Sequence, residues 1–509
     1  MKKGFTLIEL LAVIIILAIL MVVAVPNVLG TLNDAKKKTF VTQAQSIWKA
    51  AEQKFIVDSL TGSQSKCYDL SNPLDLGTVS DSISYVVEMD VQTGKVVSIN
   101  VLDTTQNFKA SGTTTNGITV SVESSNTALV CGGSAYLDGT IPVAPKLGNM
   151  VPIKWDGSKW VYAKVSQKWY DYSNREWANA VVLSESAGKK KVGDEIKESD
   201  IDLWFVWIPR YEYKLPSGSI GTTGVPNAID IKFIDSTKSV PTSGYSFHPG
   251  FAWDSDWSNG ISEWKDGIWI GKFENKESQT MSDIHVVKIQ ANVVSENNTR
   301  VSEVYNSSKN IVSDYNLKNL DSHLARYTEW TAVSYLTNSI YGRCTSSNSC
   351  TEVTINDNLS YLTGGGNYKT NVNQSTTGNV YGVYDMNGGS DEYVMGYLEN
   401  IVGASGFTML PKDNKYTDIF TSIDNELPTY SVVSQINGIT SMNGVFAELM
   451  SNTNEYYGWY NDVLLVAFSD RPWFLMGGDN EMETNSGVFT SFCLDGSGYN
   501  GISFRVALS

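Results

Sequence analysis

The sequence predicts an α+β protein: a long N-terminal helix laid on a small antiparallel sheet, then a small β module, then a larger aromatic-rich α+β domain. Three observations carry this. No polar residue interrupts the chain from Leu10 to Val25. Beyond Pro26, apolar residues recur at Phe40, Ala44, Ile47, Trp48, Ala51 and Phe55, the spacing of one helical face. From Ile83 onward, β-branched and aromatic residues gather in short runs between turn signals.

The first element is the apolar run. With Phe5 to Ile8 included it is about 21 residues, or roughly 31 Å as a helix, enough to cross a bilayer core. Glu9 is its one ionisable residue. A carboxylate at that depth costs on the order of 2.5–3.5 kcal/mol, so it is read as functional and in need of a partner. A secretory signal would end in a small-residue cleavage site. Here the small residue, Gly4, comes before the apolar block, and Pro26 and a polar helix follow it.

That order, Lys2-Lys3-Gly4-Phe5-Thr6-Leu7-Ile8-Glu9-Leu10, resembles the class III signal of type IV pilins and pseudopilins. The resemblance implies that a prepilin peptidase cuts after Gly4 and that the new N-terminus, Phe5, is methylated. It implies that the helix serves first as a membrane anchor and then as a filament core. Glu9 falls on the glutamate that pairs with the N-terminal ammonium of a neighbouring pilin subunit, and Pro26 on the helix-kinking proline. The resemblance also sets the topology, because Lys2 and Lys3 before the span and Lys36 to Lys38 after it leave a positive-inside count ambiguous. Residues 1–4 are then a leader inside, and the body lies outside.

Composition narrows the classes. A chain of 509 residues with 42% hydrophobic and 18% charged residues is globular and too long for one core. Its net charge of −16 argues against a nucleic-acid partner for the chain as a whole. An extracellular body permits disulfides. By proximity in the chain, Cys67 pairs with Cys131 and Cys344 with Cys350, leaving Cys493 as a buried free thiol. Loop entropy would make the two bridges worth about 4 and about 2.5 kcal/mol.

The helix of residues 5–60 is expected to stop at Thr61-Gly62-Ser63. Residues 61–140 then form the antiparallel sheet: runs from Ser84 to Asp90 and from Lys95 to Val101 joined across Gln92-Thr93-Gly94, with further strands at Ile118–Val122 and Ala128–Cys131. Residues 141–200 read as a separate β module or linker. Val151 to Trp160 is a hairpin with an Asp156-Gly157 turn, and Trp169 to Trp177 is a looser echo of it. Its paired tryptophans are either a sugar-stacking platform or cross-strand packing.

Residues 201–509 are the aromatic-rich body. Leu203 to Tyr213 reads as a strand ending at an edge proline, Pro209, and Gly267 to Glu274 as another strand. A helix is expected over about Asp321 to Asn338. Gly271-Lys272-Phe273-Glu274, Glu329-Trp330, Gly388-Gly389-Ser390-Asp391-Glu392-Tyr393 and Ser503-Phe504-Arg505, in that order, resemble the formylglycine-generating-enzyme branch of the C-type-lectin-like fold. Asp391 stands where that family has a buried Trp, and Ser503 where it has Gly.

The related enzymes hold copper through two nearby C-terminal cysteines, whereas Cys493 is the only cysteine between Thr351 and Ser509. A soft-metal thiolate site needs at least two such ligands, so the expectation is that the chain is not an enzyme. His248, His285 and His323 form no metal-ligand spacing. No cofactor is expected, although Asp479, Glu481 and Glu483 could hold Ca²⁺ through oxygen.

What remains is a scaffold displaying loops for binding. In the diversified ligand-binding branch of the fold the C-terminal segment forms the binding face. Here it offers Asn480, Ser486, Phe489, Ser491, Asp495, Ser497, Tyr499 and Asn500, residue types that suit adaptable recognition. The sequence therefore predicts a Gram-positive-style minor pilin bearing a lectin-like adhesin domain, with an extracellular glycan or protein as ligand. The alternatives are a membrane-tethered oxidase of the formylglycine-generating type and a pseudopilin of a secretion or DNA-uptake system.

Overall fold

The computed structural model describes the chain except residues 1–33, 60–66, 70–72, 77–82, 91–92, 104–107, 114–116, 123–141, 166–167, 220–221, 254–262, 277–285, 414, 423–432, 437–442 and 450–456. Gly4, Phe5, Glu9, Pro26, the Thr61-Gly62-Ser63 stop, the expected strand at 128–131, Cys131 and His285 thus lie outside the described residues. Among the described residues no helix is long and apolar enough to cross a membrane; the apolar run of residues 5–25 is not among them. The chain divides into two compact units, Met1–Ser134 and Ala135–Ser509.

The smaller unit is one helix on one sheet. Residues 34–59 are helical (α1). The face written by the periodicity, Phe40, Ala44, Ile47, Ala51 and Phe55, is buried in one core with Tyr85, Val87, Ile99, Val101 and Phe108 of the sheet. Full burial of a side chain the size of Ile or Phe contributes about 1.5–3 kcal/mol, so this single stripe fixes the helix on the sheet. The sheet is an antiparallel meander of Cys67–Tyr68, Ile83–Asp90, Lys95–Asp103, Phe108–Thr113 and Thr119–Val122. Its first long hairpin turns at Gly94, which has φ +68° and donates its N–H to the Asp90 carbonyl at 2.8 Å. A Cβ there would stand 3.1 Å from the Phe55 ring, so the turn and the helix are fitted to each other. Cys67 is disulfide-bonded.

The larger unit is built on two sheets. Seven strands run in the order Ser322–Leu324, Val506–Leu508, Gly267–Gly271, Ile201–Pro209, Asn179–Leu183, Val151–Trp155, Trp160–Tyr162. Residues 141–200 are therefore not a separate module. Asn179–Leu183 pairs directly with Ile201–Pro209, and the 151–162 hairpin continues that same sheet. The strand that Pro209 ends is central in the sheet, and Pro209 lies opposite Gly267 on one side while the pairing on the other side stops at Val206. Trp155 and Trp160 face each other across the hairpin in edge contact, with ring centroids 5.6 Å apart. Trp160, Trp169 and Trp177 are buried, so these tryptophans pack a core and present no platform.

The second sheet centres on Asp391–Leu398, which is buried along its whole length. It is flanked by Asp418–Ser422 and Trp473–Met476, continues to Ser491–Leu494, and takes Ile502–Phe504 in parallel at its start. Two helices accompany the sheets, Val301–Asp314 (α2) and Tyr327–Thr337 (α3). The helix expected from residue 321 begins six residues later. Ser322–Leu324 is instead a strand, recruited by pairing with Val506–Leu508, and His323 lies on it. Cys344 and Cys350 form a disulfide, and Cys493 is free and buried.

Arg505 locks the centre. Its Nε donates to Glu392 Oε2 at 2.9 Å, its Nη2 to the other Glu392 oxygen, and Nη1 to the Gly271 carbonyl at 2.7 Å. Nη2 also reaches the carbonyls of Tyr384 and Asp385 at 3.0 and 3.3 Å.

Candidate functional site

Where Asp391–Leu398 begins, the chain leaves two acceptors uncommitted. Residues 388 and 389 must be glycine: both have positive φ, and a Cβ on Gly389 would meet Glu274 Oε1 at 2.5 Å. Glu274 Oε1 accepts the Ser390 N–H at 2.8 Å, and Asp391 N–H donates to the Gly501 carbonyl at 2.9 Å. The backbone is thus held from both sides. The Asp391 carboxyl is not: Oδ1 is sealed from water and accepts no hydrogen bond, and the residue is only 9% exposed. Burial, with the like charges of Asp479 and Glu392, pushes its pKa up to about 8.

Asn480 stands beside it. Its N–H donates to the Gly389 carbonyl at 3.0 Å and its Nδ2 to the Asn358 carbonyl at 2.8 Å, which leaves Oδ1 buried and unpartnered. Asn358 also closes the turn that carries Leu359 and Tyr361, accepting from Ser360 N–H at its side chain and from Tyr361 N–H at its carbonyl. The Tyr361 ring lies over Gly501, where a Cβ would come within 2.9 Å of the hydroxyl oxygen. Burial raises the Tyr361 phenol, and the charges of Asp479, Glu481, Asp391 and Glu274 raise it further. Two buried oxygens, Asp391 Oδ1 and Asn480 Oδ1, thus lack a partner in a region of negative charge near Tyr361.

Of the residues expected to form a binding face, Asn480 belongs to this region. Ser486, Phe489 and Ser491 are core residues. Ser486 Oγ donates to Asn387 Oδ1 and the Gly477 carbonyl, both at 2.8 Å; Phe489 packs on Trp459 and Phe446; and Ser491 Oγ donates to the Leu465 carbonyl at 3.1 Å. Asp495, Ser497, Tyr499 and Asn500 are half-buried or exposed. There Asp495 Oδ1 accepts from Ser497 N–H and hydroxyl, at 3.0 and 2.6 Å, which helps keep its pKa below the usual carboxylate value against the opposing effect of burial. Sequence reasoning noticed Asp391 only as a departure from Trp. The signal available was the acidic pair Asp391-Glu392 opening a run otherwise fit for a buried strand. Nothing local marked Tyr361.

Other polar clusters combine close pairs with buried atoms that lack a partner, among them His248 Nε2, His323 Nδ1 and Arg326 Nε. Glu329 is gripped by Lys265 at 2.9 Å and His323 at 2.8 Å, which together with Arg326 hold its carboxyl well below the usual range despite burial. His248 caps a short helical turn, its Nδ1 accepting from Gly250 N–H at 3.2 Å. A cavity of about 290 Å³ beside Tyr368 is lined by Glu198 and Lys369, which pair with each other at 2.7 Å. Cys493 is held protonated, burial pushing its thiol up to about 12. Among the described residues no three His, Cys, Asp or Glu side chains converge to hold a metal; Asp479 Oδ1 is instead used by its own turn, accepting from Glu481 N–H at 3.0 Å.

The family described as the prokaryotic N-terminal methylation motif matches residues 1–25. No curated protein matches the sequence. Among solved structures, Treponema denticola variable protein 1 aligns over 60% of this chain and 95% of its own, at 11% identity and a TM-score of 0.23, a likeness too slight to fix the fold. The N-terminal motif is the class III signal of type IV pilins. It supports a pilin-like or pseudopilin protein and implies processing by a prepilin peptidase and assembly with other pilins.

Proposed function

We propose that the chain is a minor pilin or pilin-like surface protein whose larger unit is a non-catalytic, C-type-lectin-like binding domain carried near the pilus tip. The observation that carries the binding role is the pair of buried acceptors without a partner, Asp391 Oδ1 and Asn480 Oδ1, near Tyr361. Buried polar groups in folded proteins are paired as a rule, and these two unpaired oxygens belong to segments joined to the exposed 358–361 turn, which favours a ligand that completes them. The lectin-like assignment rests on the four motif fragments, which gather around Arg505. It pairs with Glu392, bonds to Gly271 next to Lys272, and lies 5.6 Å from the centre of the Trp330 ring. The tip position rests on bulk, because the larger unit, Ala135–Ser509, is a heavy load for every subunit of a shaft.

The test is microscopy joined to adhesion. Immunogold against the larger unit should label pilus ends or sparse points, and deleting the gene should remove binding of the cells to an extracellular protein or glycan ligand. Uniform labelling of the shaft would refute the tip position. Undiminished adhesion of deleted cells across a ligand panel would refute the binding role.

A further inference from the structure

A second place in the larger unit is open to solvent and fits a definite class of ligand, which extends the binding role just proposed and rests on that reading for its use in adhesion. The cavity of about 290 Å³ is walled by three separate segments: the helical turn Glu198–Asp200, residues 291–292 and residues 366–369. Its rim residues Asn292, Asn367 and Lys369 are exposed. Hydrogen bonds tie the walls together before any ligand arrives. Gln290 Nε2 donates to the Ile201 carbonyl at 2.6 Å, just past the turn. Asn292 N–H donates to the Thr363 carbonyl and Asn371 Nδ2 to the Gly365 carbonyl, both at 3.1 Å. A cleft fixed in this way loses little freedom on binding. Its floor is set from the core. The Tyr368 hydroxyl, on a residue only 3% exposed, accepts from Trp160 Nε1 at 2.8 Å and donates to Glu198 Oε1 at 2.9 Å. Lys369 Nζ reaches the same carboxylate oxygen at 2.7 Å and stands over the Trp155 ring, 5.7 Å from its centre. Glu198 is thereby oriented with Oε1 occupied, while Oε2 accepts from no described residue.

The lining groups narrow the chemistry. Glu198 and Lys369 neutralise each other, so a lone anion or cation would have to break their pair to bind. Neither the Asn292 nor the Asn367 carboxamide makes a hydrogen bond with a described residue. Each offers donors and an acceptor, and Glu198 Oε2 and the remaining Lys369 protons add one more of each kind. Ala291 contributes a single methyl group. The wall thus mixes donors with acceptors, carries no net charge and has little apolar surface. A ligand that donates and accepts around its whole edge without charge is a ring of hydroxyls. Small-molecule sites run from about 300 to 1,000 Å³, so a cavity of about 290 Å³ takes one ring and leaves the rest of a longer ligand in solvent. We propose that the cleft between Glu198, Asn292 and Asn367 binds one neutral sugar ring, a hexose unit of an extracellular glycan.

The experiment uses the full chain in micelles of a detergent without a sugar headgroup. Saturation-transfer NMR reads the binding of the methyl glycosides of glucose, galactose, mannose and N-acetylglucosamine at millimolar concentration. At least one should receive saturation and give a saturable titration. Asn292→Gly keeps the left-handed backbone there, φ +54°, and removes only the carboxamide. It should weaken that glycoside at least tenfold, and Asn367→Ala should do the same. Asn461→Gly, the same change at another exposed asparagine of left-handed backbone (φ +69°), should leave binding unchanged. Both cleft variants remove exposed side chains and should melt with the wild type, so a loss of binding is distinguished from a loss of fold. No transfer to any of these glycosides, undiminished binding by both cleft variants, or an equal loss in Asn461→Gly would overturn the proposal. So would displacement of the glycoside by equimolar acetate or methylammonium, which would make the cleft a charge site. The two readings fail separately. The titration decides the cleft without cells, whereas undiminished adhesion of deleted cells would refute the adhesive role and leave a positive titration standing.

Discussion

Replacing Arg505 with Met should unfold the larger unit selectively. The guanidinium is fully buried and serves Glu392 and the carbonyls of Gly271, Tyr384 and Asp385. Methionine fills much of the volume but leaves a buried carboxylate without its cation. Breaking such a pair costs about 3–5 kcal/mol, and the carbonyls that lose a donor add about 1 kcal/mol each where no water replaces it. A loss of roughly 3–8 kcal/mol is a large part of the stability of an ordinary domain. Every tryptophan except Trp48 lies in Ala135–Ser509, so urea unfolding in micelles followed by tryptophan fluorescence reports on that unit. Far-UV dichroism should retain a separate transition for the α1 unit. The double variant Arg505→Met/Glu392→Met removes the stranded charge and should recover at least about 2 kcal/mol of the loss. A single-variant loss under about 1 kcal/mol, or strict additivity in the double, would refute the account of Arg505 as the lock.

Three further outcomes follow from the same structure. Asp391, lifted by burial to about 8 from an unfolded value near 4, contributes stability that is full below about pH 4 and is lost as pH rises through 8; melting temperatures across that window should fall in wild type more steeply than in Asp391→Asn. Cys493 should resist iodoacetamide in the native protein and react after denaturation, with the unreduced, denatured chain yielding one thiol; rapid native labelling would contradict its burial. Glu9→Ala should leave membrane insertion intact and abolish incorporation into filaments, measured by fractionating membranes and sheared pili; normal incorporation would exclude the assembly role.

The sequence disclosed what local chemistry determines. The buried stripe Phe40, Ala44, Ile47, Ala51, Phe55 was readable because helix periodicity is local, and the 83–103 hairpin because its strands are adjacent in the chain. Pairings between distant segments were not readable. Ser322-His323-Leu324 passes for the first turn of the helix that follows, and only Val506–Leu508 makes it a strand. Residues 141–200 have the texture of a separate module, and only Ile201–Pro209 draws them into the large sheet. Helix α2 escaped notice because its polar run Asn306-Ser307-Ser308-Lys309-Asn310 breaks the apolar pattern, although Ser307 and Ser308 are buried and satisfied by the carbonyls four residues earlier. In the last segment, side-chain type could not separate Ser486 and Ser491, which face the core, from Tyr499 and Asn500, which face solvent.

The place of Val506–Leu508 in the large sheet has a consequence for how the protein is made. This strand lies between Gly267–Gly271 and Ser322–Leu324 and pairs with both. Its partners lie roughly 180 residues or more earlier in the chain, a closure that is slow by nature. The described strands of the α1 unit pair only with sequence neighbours. The larger unit stays open until residue 508 has crossed. Export therefore handles a chain that cannot close early on the wrong side, and a chain cut short upstream of Val506 exposes two unpaired strand edges, a form that quality-control proteases can recognise.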